Sequence, residues 1–182
     1  MSRRTGAVTV DEFARLPDDD FKYELVSGVV HRMSPVGGLH GVIVTRLIVA
    51  LNAWAEQHHA GVVMTETGFV LATGPVTVRA PDVSFVRRER IEASGLPIGF
   101  WRGAPDLAVE VLSPDDRPRD VAAKVREYLT HGGALVWVID PAVQTVTVHS
   151  TAASVSLACN QFLDGGDVLP GFSVPISRLF PI

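Results

Sequence analysis

A glutamate stands in the middle of a segment that otherwise contains only apolar residues. Glu110 interrupts the run from Leu107 to Leu112. Side chains alternate along a strand, so Glu110 shares a face with Ala108, whose small side chain leaves room beside it. A carboxylate in such a strand is costly unless it is paired, protonated or bound to a cation. The segment therefore predicts a buried strand whose acid has a role in an ion pair or a functional site.

Two further acids occupy similar positions. Asp82 follows Pro81 and opens an apolar run, and Glu24 lies inside the short segment Tyr23-Glu24-Leu25-Val26. Two or three carboxylates that converge from neighbouring strands form an oxygen-rich site, which suits Mg²⁺ or Mn²⁺ better than Zn²⁺. With an ammonium group nearby, such a site can perform metal-assisted hydrolysis of a phosphodiester.

Lysine is scarce, which narrows the search for that ammonium group. Of 16 basic residues only Lys22 and Lys124 are lysines. Lys124 lies in the predicted helix that follows the Glu110 strand, four residues after Asp120 and four before Tyr128. An Asp120–Lys124 pair on the helix surface, worth about 0.3–0.5 kcal/mol, is the simpler explanation. The buried acid just upstream favours a functional role for Lys124, and Lys22 stays a candidate because it shares a strand face with Glu24.

The chain divides into helix-like and strand-like segments without an evident linker. Apolar spacing predicts helices at about 39–59 and 116–131, and a capping pattern at Thr9 predicts a short helix to about 16. Ser27-Gly28 predicts a hairpin turn, and 96–103 is interpreted as a loop or a short helix. The other predicted strands are 62–65, 69–72, 76–79, 82–86, 106–112, 134–140 and 143–149.

These segments predict an α/β or α+β fold with a mixed central sheet flanked by helices. We expect a single domain over residues 1–182, with an N-terminal helix and hairpin at 8–35, a core at 36–150, and C-terminal strands and tail at 151–182. The hydrophobic fraction of 47% and the charged fraction of 20% exclude a disordered chain.

Composition also sets expectations about partners and compartment. The net charge of −4 argues against binding of nucleic acid by bulk positive charge. The single cysteine, Cys159, excludes an intramolecular disulfide framework and fits a cytoplasmic protein. Residues 39–55 are apolar but interrupted by Arg46 and Asn52, and the first ten residues lack the pattern of a signal peptide. We therefore expect no membrane association.

Taken in order, the acidic and basic positions resemble a known family. Pro81-Asp82, Glu110 within 104–114, Lys124 and Tyr128 resemble the PD-(D/E)xK nuclease pattern, and more closely the Uma2 family (DUF820) of restriction-endonuclease-like proteins. Further matching segments are 23–28, 34–40, 136–141 and 169–172. The resemblance extends from about Val8 to Phe180.

The resemblance implies a restriction-endonuclease-like core and a metal site. It implies that Asp82 and Glu110 are ligands of Mg²⁺ or Mn²⁺, with Glu24 as a further acidic ligand. The general nuclease motif has a lysine two residues after the glutamate, where this chain has Leu112. In the Uma2 pattern the lysine lies in the following helix, which matches Lys124.

Several residues are candidates for contact with a nucleic-acid substrate. His40, near the start of the long helix, could contact a metal-bound water or a phosphate, or be an ordinary polar residue of a helix end. Arg87 and Arg88 belong to an arginine-rich stretch between 79 and 126, which could form a positive rim around the acidic site or a solvated surface. Tyr128 could support Lys124 or the phosphate.

Three functions remain open from the sequence. The first is a Mg²⁺- or Mn²⁺-dependent nuclease in which Lys124 stabilises the attacking water or the transition state. The second is a catalytically silent or weak module that binds nucleic acid or protein, which Leu112 and the acidic pI favour. The third is a hydrolase of small phosphoesters. Small restriction-endonuclease-like domains often pair, so we expect a homodimer.

Overall fold

The computed structural model describes residues 7–17 and 21–181. Helices in this part of the chain are α1 (Val10–Phe13), α2 (Gly38–His58), α3 (Arg88–Ser94) and α4 (Pro118–Thr130), with a 3₁₀ turn at Ile176–Arg178. The strands are β1 (Lys22–Val26), β2 (Val29–Met33), β3 (Gly61–Thr65), β4 (Phe69–Thr73), β5 (Val76–Arg79), β6 (Val83–Arg87), β7 (Trp101–Arg102), β8 (Leu107–Val111), β9 (Leu135–Asp140), β10 (Thr145–His149), β11 (Ser154–Leu157), β12 (Phe162–Asp164) and β13 (Ser173–Pro175).

A mixed six-stranded sheet, called the central sheet below, has the order β11-β10-β9-β8-β6-β3. Strands β8 and β9 are parallel, and α4 forms the crossover between them. The other neighbouring pairs in this sheet are antiparallel. Leu135–Ile139 of β9 are all buried, which agrees with an apolar strand covered on both faces. The predicted α/β fold with a mixed sheet flanked by helices is confirmed.

A second, five-stranded sheet has the order β2-β1-β5-β4-β7, and β12 pairs with β13 in a separate hairpin. The β1–β2 turn places Ser27 at φ 50° and Gly28 at φ 79°, the left-handed region that tight hairpins require. A Cβ on Gly28 would lie 2.6 Å from the Cβ of Ala7. Residues 80–82 connect β5 to β6, so the chain passes from the second sheet to the central sheet at Pro81-Asp82.

The two faces of the central sheet pack against different partners. On one face, Val109 of β8 and Trp137 of β9 join a core with α2 and the C-terminal segment, and Trp137 stacks on Phe172 at a centroid distance of 5.8 Å. On the other face, Ala108 packs in a core that includes Tyr128 of α4. Glu110 has the same strand parity as Ala108, so its side chain lies on the face that α4 covers.

Several predicted boundaries differ from the structure. The capping box at Thr9 is present, but α1 ends at Phe13, three residues before the predicted end at about residue 16. Helix α3 lies before the segment 96–103, which the sequence predicts as a loop or a short helix, and strand β7 lies within that segment. Neither element was predicted: α3 buries no residue and therefore shows no apolar stripe, and β7 has only two residues.

Helix α2 agrees in position and length with the helix predicted at about 39–59. It has 21 residues and by length and composition alone could cross a membrane, so the interruptions at Arg46 and Asn52 do not by themselves exclude a membrane segment. Its residues Ile43, Leu47 and Leu51 are fully buried in the core against the central sheet. A core helix of this kind passes the same test of length and composition, which makes the helix weak evidence for a membrane segment.

Candidate active site

Asp82 and Glu110 lie side by side at one end of the central sheet. The antiparallel register pairs Val83 with Val109, and its extension by one residue sets Asp82 opposite Glu110. Both side chains lie on the α4 face of the sheet because their parity is that of Ala108. Both acids are buried. The structure therefore brings together the two acids that the sequence singled out on adjacent strands.

Asp82 accepts hydrogen bonds from three different elements. Lys22 Nζ lies 3.1 Å from Oδ1, His40 Nε2 lies 3.1 Å from Oδ2, and the backbone N–H of Val111 donates to Oδ2 at 2.8 Å. Burial alone would raise the pKa of Asp82, but these donors and the charge of Lys22 hold that pKa well below its usual range. Asp82 is therefore a carboxylate near neutral pH.

Glu110 is held by two residues of α4. Lys124 Nζ donates to Oε2 at 2.8 Å, and Tyr128 Oη donates to Oε1 at 2.8 Å. Burial raises the pKa of Glu110, and the neighbouring carboxylates of Asp82 and Glu24 raise it further against the effect of Lys124. Burial is the main cause of this direction, and Lys124 is the strongest charge that opposes it.

The same electrostatics act on the two α4 side chains. Burial would lower the pKa of Lys124, but Glu110 and Glu24 raise it, so Lys124 stays an ammonium ion. Burial and the adjacent charge of Glu110 raise the pKa of Tyr128 well above its ordinary value, so its hydroxyl stays a donor. Both groups therefore keep the protons with which they hold Glu110.

Glu24 approaches this cluster from the second sheet. Its side chain is buried, with Oε2 bonded to Arg79 Nη1 at 2.8 Å and Oε1 accepting from the Ala80 N–H at 3.3 Å. Lys124 Nζ lies 3.6 Å from Oε1. Burial opposes ionisation, but Lys124 and Arg79 together lower the pKa of Glu24. Glu24 is thus a charged residue that contacts Lys124 and Arg79.

One face of α4 supplies the contacts, although not all the residues expected on it. Lys124 and Tyr128 bind Glu110, and Glu127 accepts from Arg79 Nε at 2.7 Å. Asp120 is exposed and lies 3.4 Å from Arg119 instead. The intrahelical explanation for Lys124 is therefore not supported, because its recorded ion pairs join it to two other elements.

A pocket of about 470 Å³ opens over Asp82 and Glu110. Lys22, Arg32, His40 and Lys124 also line it, together with 33–37 and the loop 113–116. The Arg32 guanidinium carbon lies 3.1 Å from the ring centroid of Phe21. Sequence analysis missed Arg32, because nothing local distinguishes it from any other residue of an exposed hairpin strand.

Asp82 and Glu110 fit a metal site that uses two protein carboxylates, but not a site that uses three. Within 7–17 and 21–181, no group of three or more His, Cys, Asp or Glu side chains is placed to hold a metal ion. The expected ligand set of Asp82, Glu110 and Glu24 is not assembled in this structure. Mg²⁺ commonly uses one or two carboxylates, several waters and substrate phosphates. The adjacent carboxylates of Asp82 and Glu110, which both line the pocket, fit that kind of site.

Arg87 and Arg88 lie elsewhere. Arg87 is the last residue of β6, roughly 17 Å from Asp82 by the rise of an extended strand, and Arg88 begins α3. Arg87 donates to the carbonyl oxygen of Asp167 at 2.9 Å, and Arg88 pairs with Glu92 at 2.7 Å. Neither lines the pocket over Asp82. The expected positive rim is therefore not built from these two arginines.

The mixed sheet, the acid pair at its end and the lysine of the crossover helix define a restriction-endonuclease-like α/β domain. A crystal structure described as a putative nuclease belonging to DUF820, from Anabaena variabilis, has the same fold: the TM-score is 0.83 at 24% identity, over 95% of this chain and 97% of that chain. The family model Uma2, described as "Putative restriction endonuclease", matches residues 10–177. The chain belongs to the Uma2 family. No curated protein matches it.

Proposed function

We propose that this protein is a divalent-metal-dependent nuclease that hydrolyses phosphodiester bonds in nucleic acid. The observation that carries the proposal is the position of Lys124, whose Nζ lies 2.8 Å from Glu110 Oε2 at the pocket where Glu110 faces Asp82. The descriptions of the family and of the similar structure from Anabaena variabilis, both of which refer to nucleases, support it.

In this proposal Asp82 and Glu110 hold Mg²⁺ or Mn²⁺. The bound metal would polarise a phosphoryl oxygen and lower the pKa of a water molecule. Lys124 supplies the positive charge that stabilises the attacking water or the transition state, and it is a permanent ammonium ion because Glu110 and Glu24 raise its pKa. Tyr128 fixes Oε1 of Glu110.

The neighbours of Asp82 and Glu110 fix the orientation of both side chains. His40 and the Val111 N–H both donate to Oδ2 of Asp82, while Lys22 contacts Oδ1. We assign His40 the role of orienting Asp82 at the substrate pocket. Lys22 and Arg32 carry positive charge on the pocket wall, which supports a polyanionic substrate despite the net charge of −4.

A catalytically silent binding module is the second candidate, and one observation favours it. Every carboxylate oxygen of Asp82 and Glu110 accepts a hydrogen bond or ion pair from a protein donor. Such a cluster is largely satisfied without a metal. Titration with Mn²⁺ distinguishes the two functions, because the silent module would show no Mn²⁺ binding that depends on Glu110.

The assembly and the compartment are part of the same proposal. We infer a homodimer in the cytoplasm, an inference that rests on the family resemblance and on the low cysteine content. Sedimentation equilibrium of the purified chain tests the first point, since the proposal requires a mass close to twice 19.6 kDa.

The experiment that tests the function is a cleavage assay on single- and double-stranded DNA and RNA with Mg²⁺ or Mn²⁺. The proposal expects cleavage of at least one substrate, no cleavage in EDTA, and loss of cleavage in Glu110→Gln. A folded wild-type protein that binds Mn²⁺ at Glu110 but cleaves none of the four substrates would oppose it.

A further inference from the structure

A buried chain of charges runs behind the pocket. The Arg79 guanidinium donates through Nε to Glu127 Oε2 at 2.7 Å and through Nη1 to Glu24 Oε2 at 2.8 Å. The Arg79 side chain is only 8% exposed, and that of Glu24 only 2%. Arg79 and Glu24 do not line the pocket over Asp82. Arg79 therefore forms neither part of a positive rim at this pocket nor part of a solvated surface.

This series of ion pairs ends at Lys124, the proposed catalytic lysine. Lys124 Nζ lies between two carboxylates, 2.8 Å from Glu110 Oε2 and 3.6 Å from Glu24 Oε1. Glu127 is three residues after Lys124 on α4, so Arg79 contacts the helix itself and Glu24 contacts the lysine it carries. Two residues of the second sheet therefore contact α4: Arg79 binds Glu127, and Glu24 binds the side chain of Lys124.

We propose that Arg79 and Glu24 are positioning residues that hold the Lys124 ammonium group against Glu110. The proposal rests on the proposed function only for what the positioned lysine does. A lysine is a point charge on a flexible stem, so it needs fixed acceptors to keep one place. Glu24 is such an acceptor on the side opposite Glu110.

Arg79 determines how strongly Glu24 attracts the lysine. Without the Arg79 guanidinium, Glu24 would be a buried carboxylate with Lys124 as its main counter-charge, and it would draw the ammonium group away from Glu110. With Arg79 in place, Oε2 of Glu24 is already paired and the lysine is shared between the two acids. Arg79 thus sets the place of Lys124 through Glu24.

One consequence separates this role from the ligand role that the family resemblance implies for Glu24. Its Oε2 is bonded to Arg79, and its Oε1 faces the Ala80 N–H and Lys124. A positioning residue should therefore leave metal affinity unchanged when it is replaced by its neutral isostere. Glu24→Gln should bind Mn²⁺ within about twofold of wild type, whereas Glu110→Gln should lose that binding.

The scarcity of lysine allows a direct test that does not need activity. Protein labelled with ¹³C and ¹⁵N in lysine alone gives two side-chain signals, from Lys22 and Lys124, and Lys22→Arg assigns them. We expect the two Hε protons of Lys124 to be inequivalent in wild type and averaged in Glu24→Gln, which removes one of the two acceptors. In Arg79→Gln we expect the Lys124 signals to change in chemical shift, because the ammonium group moves toward Glu24, and Arg79→Lys, which keeps the charge, should restore part of the wild-type shift.

Arg90→Lys is the matched control. Arg90 pairs with Asp106 at 3.1 Å, and Asp106 is roughly 13 Å from Glu110 by the rise of an extended strand. The Arg90→Lys variant should therefore leave the Lys124 signal unchanged. Circular dichroism identifies any variant that does not fold, and the three replacements at Arg79 and Glu24 give independent chances to keep the fold. An unchanged Lys124 signal in a folded Arg79→Gln or Glu24→Gln protein overturns the proposal.

Steady-state kinetics and Mn²⁺ titration of the same variants provide a second test. Arg79→Gln should lower kcat at least tenfold while KM and Mn²⁺ affinity stay within about twofold, because the change displaces Lys124 without touching substrate or metal. A loss of Mn²⁺ affinity in Glu24→Gln equal to that in Glu110→Gln would make Glu24 a ligand and overturn the proposal. If the wild type cleaves nothing, the nuclease proposal fails, and the lysine signals alone decide the positioning role.

Discussion

The Nζ atom of Lys124 lies 2.8 Å from Oε2 of Glu110, although the lysine belongs to a helix and the glutamate to the strand before it. The parallel β8–α4–β9 connection produces this contact, since α4 returns across the face of the sheet on which Glu110 lies. A lysine at position 112, one residue after the end of β8, would lie on the same face of the sheet as Glu110. Position 112 of this chain is a leucine, and Lys124 contacts the same acid from α4.

The two lysines should differ in importance for cleavage. Lys124→Ala removes the positive charge beside Glu110 and should lower kcat by about 10²–10³-fold, the usual cost of losing one transition-state stabilising group. Lys22→Ala removes one partly exposed ion pair with Asp82 and should cost no more than about tenfold. Single-turnover cleavage rates measure both, and an equal loss in the two variants would contradict the assignment of Lys124.

Asp82 should stabilise the fold in a pH-dependent way. Its pKa in the folded protein lies well below the ordinary value of 3.8, so it is ionised and bonded above that value. The stability this provides is present above pH 3.8 and is lost as the pH falls through the folded-state pKa. Urea unfolding of wild type and Asp82→Asn at several pH values should show a gap that narrows below pH 3.8. A gap that stays constant into acid would contradict this.

Tyr128→Phe should separate support of Glu110 from the chemistry of Lys124. The change deletes the fully buried hydroxyl that donates to Glu110 Oε1 and leaves a buried carboxylate oxygen without that donor. We expect the free energy of unfolding to fall by about 1–3 kcal/mol. Chemical denaturation measures it, and a variant as stable as wild type would show that the hydrogen bond contributes little.

Arginines near and far from the pocket should have unequal effects on nucleic-acid binding. Arg32→Ala should weaken binding and reduce the slope of log affinity against log salt by about one, as expected for one lost phosphate contact. Arg87→Ala is the matched control at the far end of β6 and should change affinity by less than about twofold. Fluorescence anisotropy over a range of salt concentrations measures both. A larger effect of Arg87→Ala than of Arg32→Ala would contradict the assignment of this pocket as the nucleic-acid site.

Much of the site could be predicted because its strongest signals are local. Glu110 conflicts with an apolar strand, and that conflict is visible within six residues of sequence. The helix that carries Lys124 has a clear apolar stripe, and its tyrosine lies four residues further on. The central sheet followed from runs such as Leu135–Asp140, whose burial on both faces requires an unbroken apolar pattern.

The remaining features depend on contacts between distant parts of the chain. Arg79 and Glu24 are 55 residues apart, and only the pairing of β1 with β5 brings them together. The position of Arg32 over the pocket and of Arg87 away from it likewise follows from tertiary structure, since both look like ordinary surface arginines in the sequence. Helix α3 buries no side chain, so the periodicity that reveals helices was absent there.

The most direct test of the central claim is metal-dependent cleavage by matched isosteric variants. Wild type, Asp82→Asn and Glu110→Gln are compared on the four nucleic-acid substrates with Mn²⁺, with EDTA as the metal-free control and circular dichroism as the control for folding. The nuclease assignment predicts cleavage by wild type that requires Mn²⁺ and falls by at least about 10²-fold in both folded variants. Cleavage that persists at the wild-type rate in Glu110→Gln, or that continues in EDTA, would contradict it.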